Sequence, residues 1–598
     1  MGGGIGKSKM GHDIIGDMQE IVERIKKVVW GLFEVEVELR LTGVPEGQRG
    51  DFATNVAFGL GKKVGKGSME VAKEIVEAID EKDWSAEVAG AGFVNVTVRD
   101  ERLKEEFLKF EVAGASERYV GKVVVSEFSD PNPFKVLHVG HLYTSIVGDA
   151  ISRLVEYAGG EVHRVNFGGD VGLHVAKTIY EVLRLLQPET HSSASADALL
   201  ARRMLNTARC ATPASLNNDV SDLQQGLDET IELLAKCYVA GTRAYEDDES
   251  ARSRITELNK EIYEIAEKNE REGVMAKIYW AGREASYDYF DEFYKRIGLK
   301  FEKYYPESTV VGLGLEAVRK HVPEVYEESD GAVIYRGEKV GLHTRVFINK
   351  EGLPTYEAKD VGLVLQKWQD YEFDESIVIT AAEQKDYMRV VLASVAEFEP
   401  ELAERTRHLT HGMVKLPGAV KMSSRLGNFL RAVDVIEMVR GEGVEEAVAI
   451  AAIKYAFLKV KMEGDIAFDV RESVNMQGNS GPYLQYALVR GKSILRHFES
   501  AVQRISSSSI ETLDEWERRL ILKLLGWRAV MGEAVTELAP QKVCTYLYEL
   551  AQEFSRFYEN DKVVGSENEG LRRELVERYV EVLEGGMGVL GVEAVERM

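Results

Sequence analysis

The chain of 598 residues carries a formal net charge of −24 and 45% hydrophobic side chains, enough for several domain cores, while no apolar run is long enough to cross a bilayer as a helix. Three cysteines, Cys210, Cys237 and Cys544, show no C-x-x-C spacing, which excludes a disulfide framework and predicts a reducing, cytoplasmic setting with no structural zinc. The acidic total excludes a protein that merely coats RNA, so any nucleic-acid contact has to rest on basic side chains gathered on one face.

Residues 1–16 are Gly-rich and predict a mobile start. Gly6-Lys7-Ser8 lacks the first glycine and the preceding strand of a phosphate-binding loop. Asp13, Asp17 and Glu20 are residues that an organelle-targeting helix avoids. From Phe33 the chain alternates, with Val35, Val37, Leu39 and Leu41 facing one way and Glu34, Glu36, Glu38 and Arg40 the other, which predicts a half-buried strand ending at Gly43. A helix over Met69–Ile79 and a strand over Phe93–Val98 complete a small α+β domain over residues 17–110.

Val123–Val125 reads as a strand, Pro131-Asn132-Pro133 as a loop, and Leu142, Ile146, Ala150, Leu154 and Ala158 as one face of a helix stopped by Gly159-Gly160. A strand feeding a helix through a tight loop is the first unit of a doubly wound parallel sheet, whose ligands lie beyond the strand ends beside the helix N-terminus. His138 and His141 stand there, and Gly140 between them leaves room for a flat ring to approach the backbone. Helix N-termini favour anions, so two imidazoles could donate to phosphate oxygens; a pair of capping histidines without a task fits H-x-G-H equally well.

Asn166–Gly172 is a second glycine-rich turn after an apolar strand. Residues 186–340 read as a mostly helical insertion that splits the nucleotide fold, with Pro188–Ser250 the least legible part. Strand-like Arg345–Asn349 follows, then Tyr356 and Asp360 four apart on one helical face, then the buried strand Ile377–Thr380 ending at Glu383-Gln384. Lys421-Met422-Ser423-Ser424 lies in a Gly-bounded segment that reads as a mobile loop, where a lysine suits a triphosphate whose charge rearranges. From 441 to 598 the composition is helical, and Val543, Leu547, Leu550, Phe554 and Phe557 make a core-facing stripe.

H-x-G-H followed at a distance by K-M-S-S resembles the class I aminoacyl-tRNA synthetases, and the surrounding residues look most like arginyl-tRNA synthetases, from about Val35 to Met598. The resemblance implies a class I catalytic domain over 118–440, an N-terminal tRNA-contacting domain and a C-terminal all-α anticodon-binding bundle. It implies activation of L-arginine by ATP with Mg²⁺, transfer to the 3′-terminal adenosine of tRNA(Arg), and a monomer. His138, Gly140, His141, Lys421, Met422, Ser423 and Ser424 match the ATP site, with Lys135 as a second candidate lysine. Tyr356, Asp360 and Glu307 match the positions that hold the guanidinium; Asn132, Gln384, His141 and Glu127 match those around the α-amino and carboxylate groups. Asn55 in Gly50–Ala57, Tyr483, Tyr486 and Arg490 in Gly478–Arg490, and the terminal Met598 match tRNA-contacting segments. Two departures stand out: Leu426 where a basic residue often follows Arg425, and Asp130 where serine is usual. A different class I synthetase and an inactive RNA-binding paralogue are the competing readings.

Overall fold

The computed structural model describes residues 19–44, 48–79, 81–112, 114, 116–187, 195–207, 220–415, 430–498 and 512–598. The Gly-rich start, most of the least legible stretch before 220, and Lys421-Met422-Ser423-Ser424 with Leu426 lie outside the described residues. The chain divides into two compact units, one of residues 121–156 and 160–474, the other of residues up to 120, 157–159 and 475–598.

The first unit is built on a parallel five-stranded sheet. Val123–Glu127 (β1) leads through Val139–Tyr157 (α1) to Glu161–Gly168 (β2), and Leu173–Leu186 (α2) follows. Lys303–Pro306 (β3) continues into Glu307–Lys320 (α3), and Tyr356–Tyr371 (α4) precedes Glu375–Ala381 (β4). Lys385–Ala396 (α5) then leads to Thr406–His411 (β5). The strand order is β5-β4-β1-β2-β3, every neighbour parallel. The chain runs outward from β1 to β3, then crosses back to β4, so the direction of winding reverses between β1 and β4. In such sheets a ligand crevice opens at that point, beyond the carboxyl ends of the strands. Val124, Val125, Ile377, Val378 and Ile379 are buried, as unbroken apolar runs in a sheet covered on both faces should be.

Two close approaches fix the helices over the crevice. A Cβ on Gly148 of α1 would lie 2.1 Å from Phe128 Cγ, so only glycine lets α1 rest on the chain leaving β1. Where α3 crosses α4, a Cβ on Gly314 would lie 2.0 Å from the Ala358 carbonyl oxygen and one on Gly362 2.3 Å from that of Val310. These two helices therefore touch backbone to backbone, which brings the start of α3 beside the first turn of α4.

The helices Ala196–Thr207, Val220–Asp247, Glu249–Glu267 and Val274–Arg296 lie between β2 and β3. The third sheet strand thus falls inside the stretch 186–340 read as insertion. It is four residues long, with Lys303 and two tyrosines, and gives no apolar run to detect. Residues 327–348 add a separate three-stranded antiparallel sheet. Residues 441–474 also pack in this unit. Helix Glu446–Leu458 is buried nearly all round, and Ile466–Ala467 pairs with Val414–Lys415, so the onset of helical composition near 441 does not mark where this unit ends.

Asp170, fully buried in the loop after β2, ties three segments together. Its carboxylate accepts from Tyr279 Oη (3.0 Å), Arg283 Nε (2.8 Å), Ser308 N (2.9 Å) and Ser308 Oγ (2.7 Å). Removing one member of a buried ion pair strands its partner and costs roughly 3–5 kcal/mol. Asp170→Ala is expected to lower the melting transition accordingly; a variant that melts with the parent would show that Arg283 finds another partner.

The second unit joins an antiparallel sheet (Thr42–Gly43, Phe52–Thr54, Phe93–Val98, Trp84–Ala89, in that spatial order) to helices from both ends of the chain. The strand expected from Phe33 to Gly43 is corrected here to its last two residues, Thr42–Gly43. Gln19–Phe33 is a helix, and the following alternation of exposed glutamates with more buried Val35, Val37 and Leu39 is real, but ladder pairing begins only at Thr42. Alternation reports which side faces the core and does not require a partner strand. The helix near Met69 runs Ser68–Glu77. At the C-terminal end, Gly481–Phe498, Glu515–Leu525, Trp527–Glu537, Pro540–Asn560 and Glu569–Val589 form a bundle. Val543, Leu547, Leu550, Phe554 and Phe557 are all completely buried, with Phe554 stacked on Tyr579 at 3.7 Å.

Candidate active site

His138 is the N-cap of α1. Its Nδ1 accepts from Gly140 N (3.1 Å) and, more weakly, from His141 N (3.4 Å), while His141 Nδ1 accepts from His138 N (3.2 Å). The rings stack at 3.8 Å between centroids. A Cβ on Gly140 would sit 2.9 Å from His138 Cε1, so the flat ring for which Gly140 makes room is the imidazole of His138 itself. Because each Nδ1 is an acceptor, each ring carries its proton on Nε2. Burial pushes His138 down to about 4, with the nearby Lys135 ammonium adding to the effect. Burial, His138 and Lys135 hold His141 well below its ordinary value. Both rings are therefore neutral at pH 7 and act as N–H donors beside a helix N-terminus.

The chain returning from the K-M-S-S region runs against this turn. Val139 N donates to Leu430 O and Ala432 N to Leu137 O, both at 2.9 Å, with His138 and Arg431 forming an antiparallel bridge. Leu430–Ala432 are thus held directly on the H-x-G-H turn. Lys135, half-buried in the loop before α1, lies 4.6 Å from the Tyr238 ring centroid.

Beyond the strand ends stand the acidic residues. Glu127, the last residue of β1, is buried and paired with buried Lys367 (2.5 Å), which also donates to Ser376 Oγ (3.0 Å). Glu307 opens α3, buried, with Lys359 Nζ at 2.5 Å. Burial disfavours the Lys359 ammonium, but Glu307 and Tyr263 outweigh it and its pKa rises. Asp360 lies 8% exposed on the first turns of α4, and its carboxylate accepts from Tyr387 Oη of α5. Burial raises Asp360 to about 8; the Tyr387 hydrogen bond pulls against this, and Glu127, Glu307 and Glu357 add to it. Among these buried carboxylates, Glu127 and Glu307 each hold an ammonium, whereas the partner of Asp360 is a neutral phenol. Tyr356, one helical turn before Asp360, is 60% exposed.

Asn132 Oδ1 accepts from Gly169 N (2.9 Å) and Asp130 Oδ1 from Phe167 N (2.9 Å), which ties the loop after β1 to the end of β2. Ser129 and Asp130 both have positive φ, 74° and 48°, a backbone that aspartate tolerates better than most residues. Burial and Glu127 raise the Asp130 carboxyl well above its ordinary value. Gln384 is exposed in the turn that follows β4. Among the described residues no three His, Cys, Asp or Glu side chains come together to hold a metal ion.

Sequence reasoning missed Lys359, Lys367, Tyr387 and Asp170. The available signal was faint: Lys367 stands among Gln366, Gln369 and Asp370 and reads as an ordinary surface charge, and its counterion lies 240 residues away.

The residues matched to RNA contact all lie in the second unit. Asn55 is exposed at the start of helix Val56–Val64, and its side chain makes no capping bond. Tyr483 is half-buried against Tyr548, and Tyr486 is 45% exposed. Arg490 lies 4.3 Å from the ring centroid of Tyr558, itself 40% exposed. Met598 is exposed at the chain end.

Three family models match the chain: the arginyl tRNA synthetase N-terminal domain over residues 18–98, the catalytic domain of class I (R) tRNA synthetases over 106–197 and 215–470, and the DALR anticodon-binding domain over 484–598. The arginine–tRNA ligase of Treponema denticola is 27% identical over 570 residues, covering 88% of this chain and 89% of that protein. That of Porphyromonas gingivalis is 26% identical, covering 96% and 98%. The fold is shared with arginyl-tRNA synthetases from Thermus thermophilus (TM-score 0.70, 23% identity, 97% of this chain and 100% of that one) and Plasmodium falciparum (TM-score 0.71, 20% identity, 98% and 100%). With the catalytic-domain model alone spanning more than half of its residues, the chain belongs to the arginyl family of class I tRNA synthetases, the arginine–tRNA ligases.

Proposed function

We propose that the crevice between β1 and β4 activates L-arginine with ATP and that arginine then passes to the 3′-terminal adenosine of tRNA(Arg). The observation that carries the residue assignments is how three buried acids are paired: Glu127 and Glu307 each hold a lysine, whereas Asp360 meets the neutral phenol of Tyr387 and sits a helical turn from the exposed Tyr356. A guanidinium seeks planar acceptors, and a desolvated carboxylate beside a phenol meets that need. Glu307, held by Lys359, lies near enough to Asp360 to help raise its pKa and would border the same pocket. Asn132, whose carbonyl oxygen is taken by Gly169, would turn its NH₂ toward the substrate carboxylate. Gln384 and, through the loop, Glu127 would frame the α-amino group.

The chemistry needs no general base. The arginine carboxylate attacks the α-phosphorus of ATP, the bond to the bridging oxygen breaks, and pyrophosphate leaves with its electron pair. The protein has to hold the reactants in line and stabilise charge as it shifts. Neutral His138 and His141 suit this: their Nε2–H donors would hydrogen-bond phosphate oxygens without a proton to lose. Lys421, which precedes Leu430 in sequence, would neutralise pyrophosphate, and Lys135 would support the imidazole side. Mg²⁺ would arrive with the nucleotide and help neutralise its phosphates. In the second step a ribose hydroxyl of the tRNA attacks the carbonyl carbon of the adenylate and AMP departs. Asn55, Tyr483, Tyr486, Arg490 and Met598 would meet the tRNA; exposed tyrosines stack on unpaired bases and arginine holds phosphate. A monomeric, cytoplasmic protein is the form this reading assigns. No described helix is long and apolar enough to cross a membrane.

Pyrophosphate exchange, run with each amino acid in turn and tRNA(Arg) present, tests the substrate. Exchange is expected with arginine alone; exchange driven by another amino acid, or by none, contradicts the proposal.

A further inference from the structure

The N-terminal and anticodon-binding family models lie at opposite ends of the chain, yet their residues form one compact unit. One guanidinium does much of the joining. Arg518, in the bundle helix Glu515–Leu525, donates Nε to Asp51 Oδ1 (3.0 Å) and Nη2 to Asp51 Oδ2 (2.5 Å). It also donates Nη1 to Asp100 Oδ1 (2.6 Å) and Nη2 to Val98 O (2.5 Å). Asp51 is itself fixed by Val98 N (2.7 Å), and Asp100 accepts Leu513 N (3.0 Å). Farther along, Trp527 Nε1 donates to Val112 O (3.1 Å). Such a bidentate, largely buried arginine is rigid where a lone surface pair would not be.

Asp51 immediately precedes the strand Phe52–Thr54, which ends just before Asn55. The clamp therefore sets the position of Asn55 relative to the bundle that carries Tyr486 and Arg490. The geometry points to Arg518 as a positioning residue for tRNA: it locks the N-terminal module and the bundle into a single two-point gripping body, so that contact at one end brings the other to bear. This inference rests on the assignment of Asn55, Tyr486 and Arg490 to the RNA-facing surface. Two linked contacts gain affinity through effective concentration, an advantage lost when the link loosens.

A double-mutant cycle on the full chain tests it, with a tRNA(Arg) transcript as ligand. Arg518→Gln and Asn55→Ala are each expected to weaken binding about tenfold, and the double variant little more than either, because both remove the same second contact. Arg518→Lys, which can still reach one carboxylate, should recover much of the loss. The kcat at saturating tRNA should stay within about twofold of the parent, so that the defect lies in KM. The isolated anticodon stem-loop of the same tRNA should bind Arg518→Gln as it binds the parent. Losses that multiply in the double variant, or a stem-loop affinity that falls as far as that of the whole tRNA, would overturn the inference. Should Asn55→Ala alone bind normally, the RNA-facing assignment of Asn55 fails, and the comparison of whole tRNA with stem-loop still decides the role of Arg518.

Discussion

Asp360→Asn should raise the KM for arginine by about a hundredfold, close to 2.7 kcal/mol, while the KM for ATP stays nearly unchanged. The substitution keeps the shape of the side chain and removes a buried carboxylate whose hydrogen-bond partner is a neutral phenol rather than an ammonium. The histidine turn at the start of α1, where the phosphates are assigned, is untouched. The same variant should gain stability, and the gain should depend on pH. The folded-state pKa of Asp360 is raised from 3.8 to about 8 by burial, so the protonated carboxyl contributes stability that is complete below about pH 4. That contribution falls as pH rises and is gone once the group ionises above about pH 8. Asparagine never pays for ionisation. Thermal melts of both proteins should nearly coincide at pH 4 and separate in favour of the variant by pH 8.5. A separation that does not change with pH would show that Asp360 is already ionised at low pH, and an unchanged arginine KM would remove it from the recognition site.

The second large effect concerns the histidine pair. His141→Ala should slow adenylate formation by a hundredfold or more, the usual cost of losing one well-placed donor to developing charge. His138 offers a sharper comparison, because its Nδ1 also caps α1. Asparagine is among the best helix caps but cannot put a donor where imidazole Nε2 stands. His138→Asn should therefore melt within about 1 kcal/mol of the parent and still lose about two orders of magnitude in activation. Were the histidines only caps, the asparagine variant would keep its rate. With His138 lowered to about 4, the activation rate should also show no histidine inflection between pH 5 and 8. An inflection near 6.5 that disappears in His138→Asn would contradict neutral donors.

Much of the catalytic sheet was legible because its central strands are buried on both faces, so that Val123–Val125 and Ile377–Ile379 stand out as apolar runs beside helical periodicity. The histidine turn was legible as a motif, though not its geometry: that Nδ1 of each ring is an acceptor depends on backbone placement. Chain-distant pairing stayed hidden. Lys359 meets Glu307 across 52 residues and Lys367 meets Glu127 across 240, and nothing local to either lysine signals its counterion. The strand Lys303–Pro306 was hidden for another reason: it is short, half aromatic, and preceded by a hundred residues of helix-forming sequence. Asp51 and Arg518 show the same limit at domain scale, since each reads as an ordinary surface charge until the two ends of the chain are brought together.

Proton release on arginine binding tests the central claim most directly. At pH 7 the Asp360 carboxyl is mostly protonated before arginine binds, and a guanidinium against it would force ionisation. Titration calorimetry in two buffers of different ionisation enthalpy should therefore report the release of close to one proton per arginine bound by the parent and none by Asp360→Asn. Equal proton release from both proteins, or none from the parent, would contradict the assignment of Asp360 as the group that grips arginine.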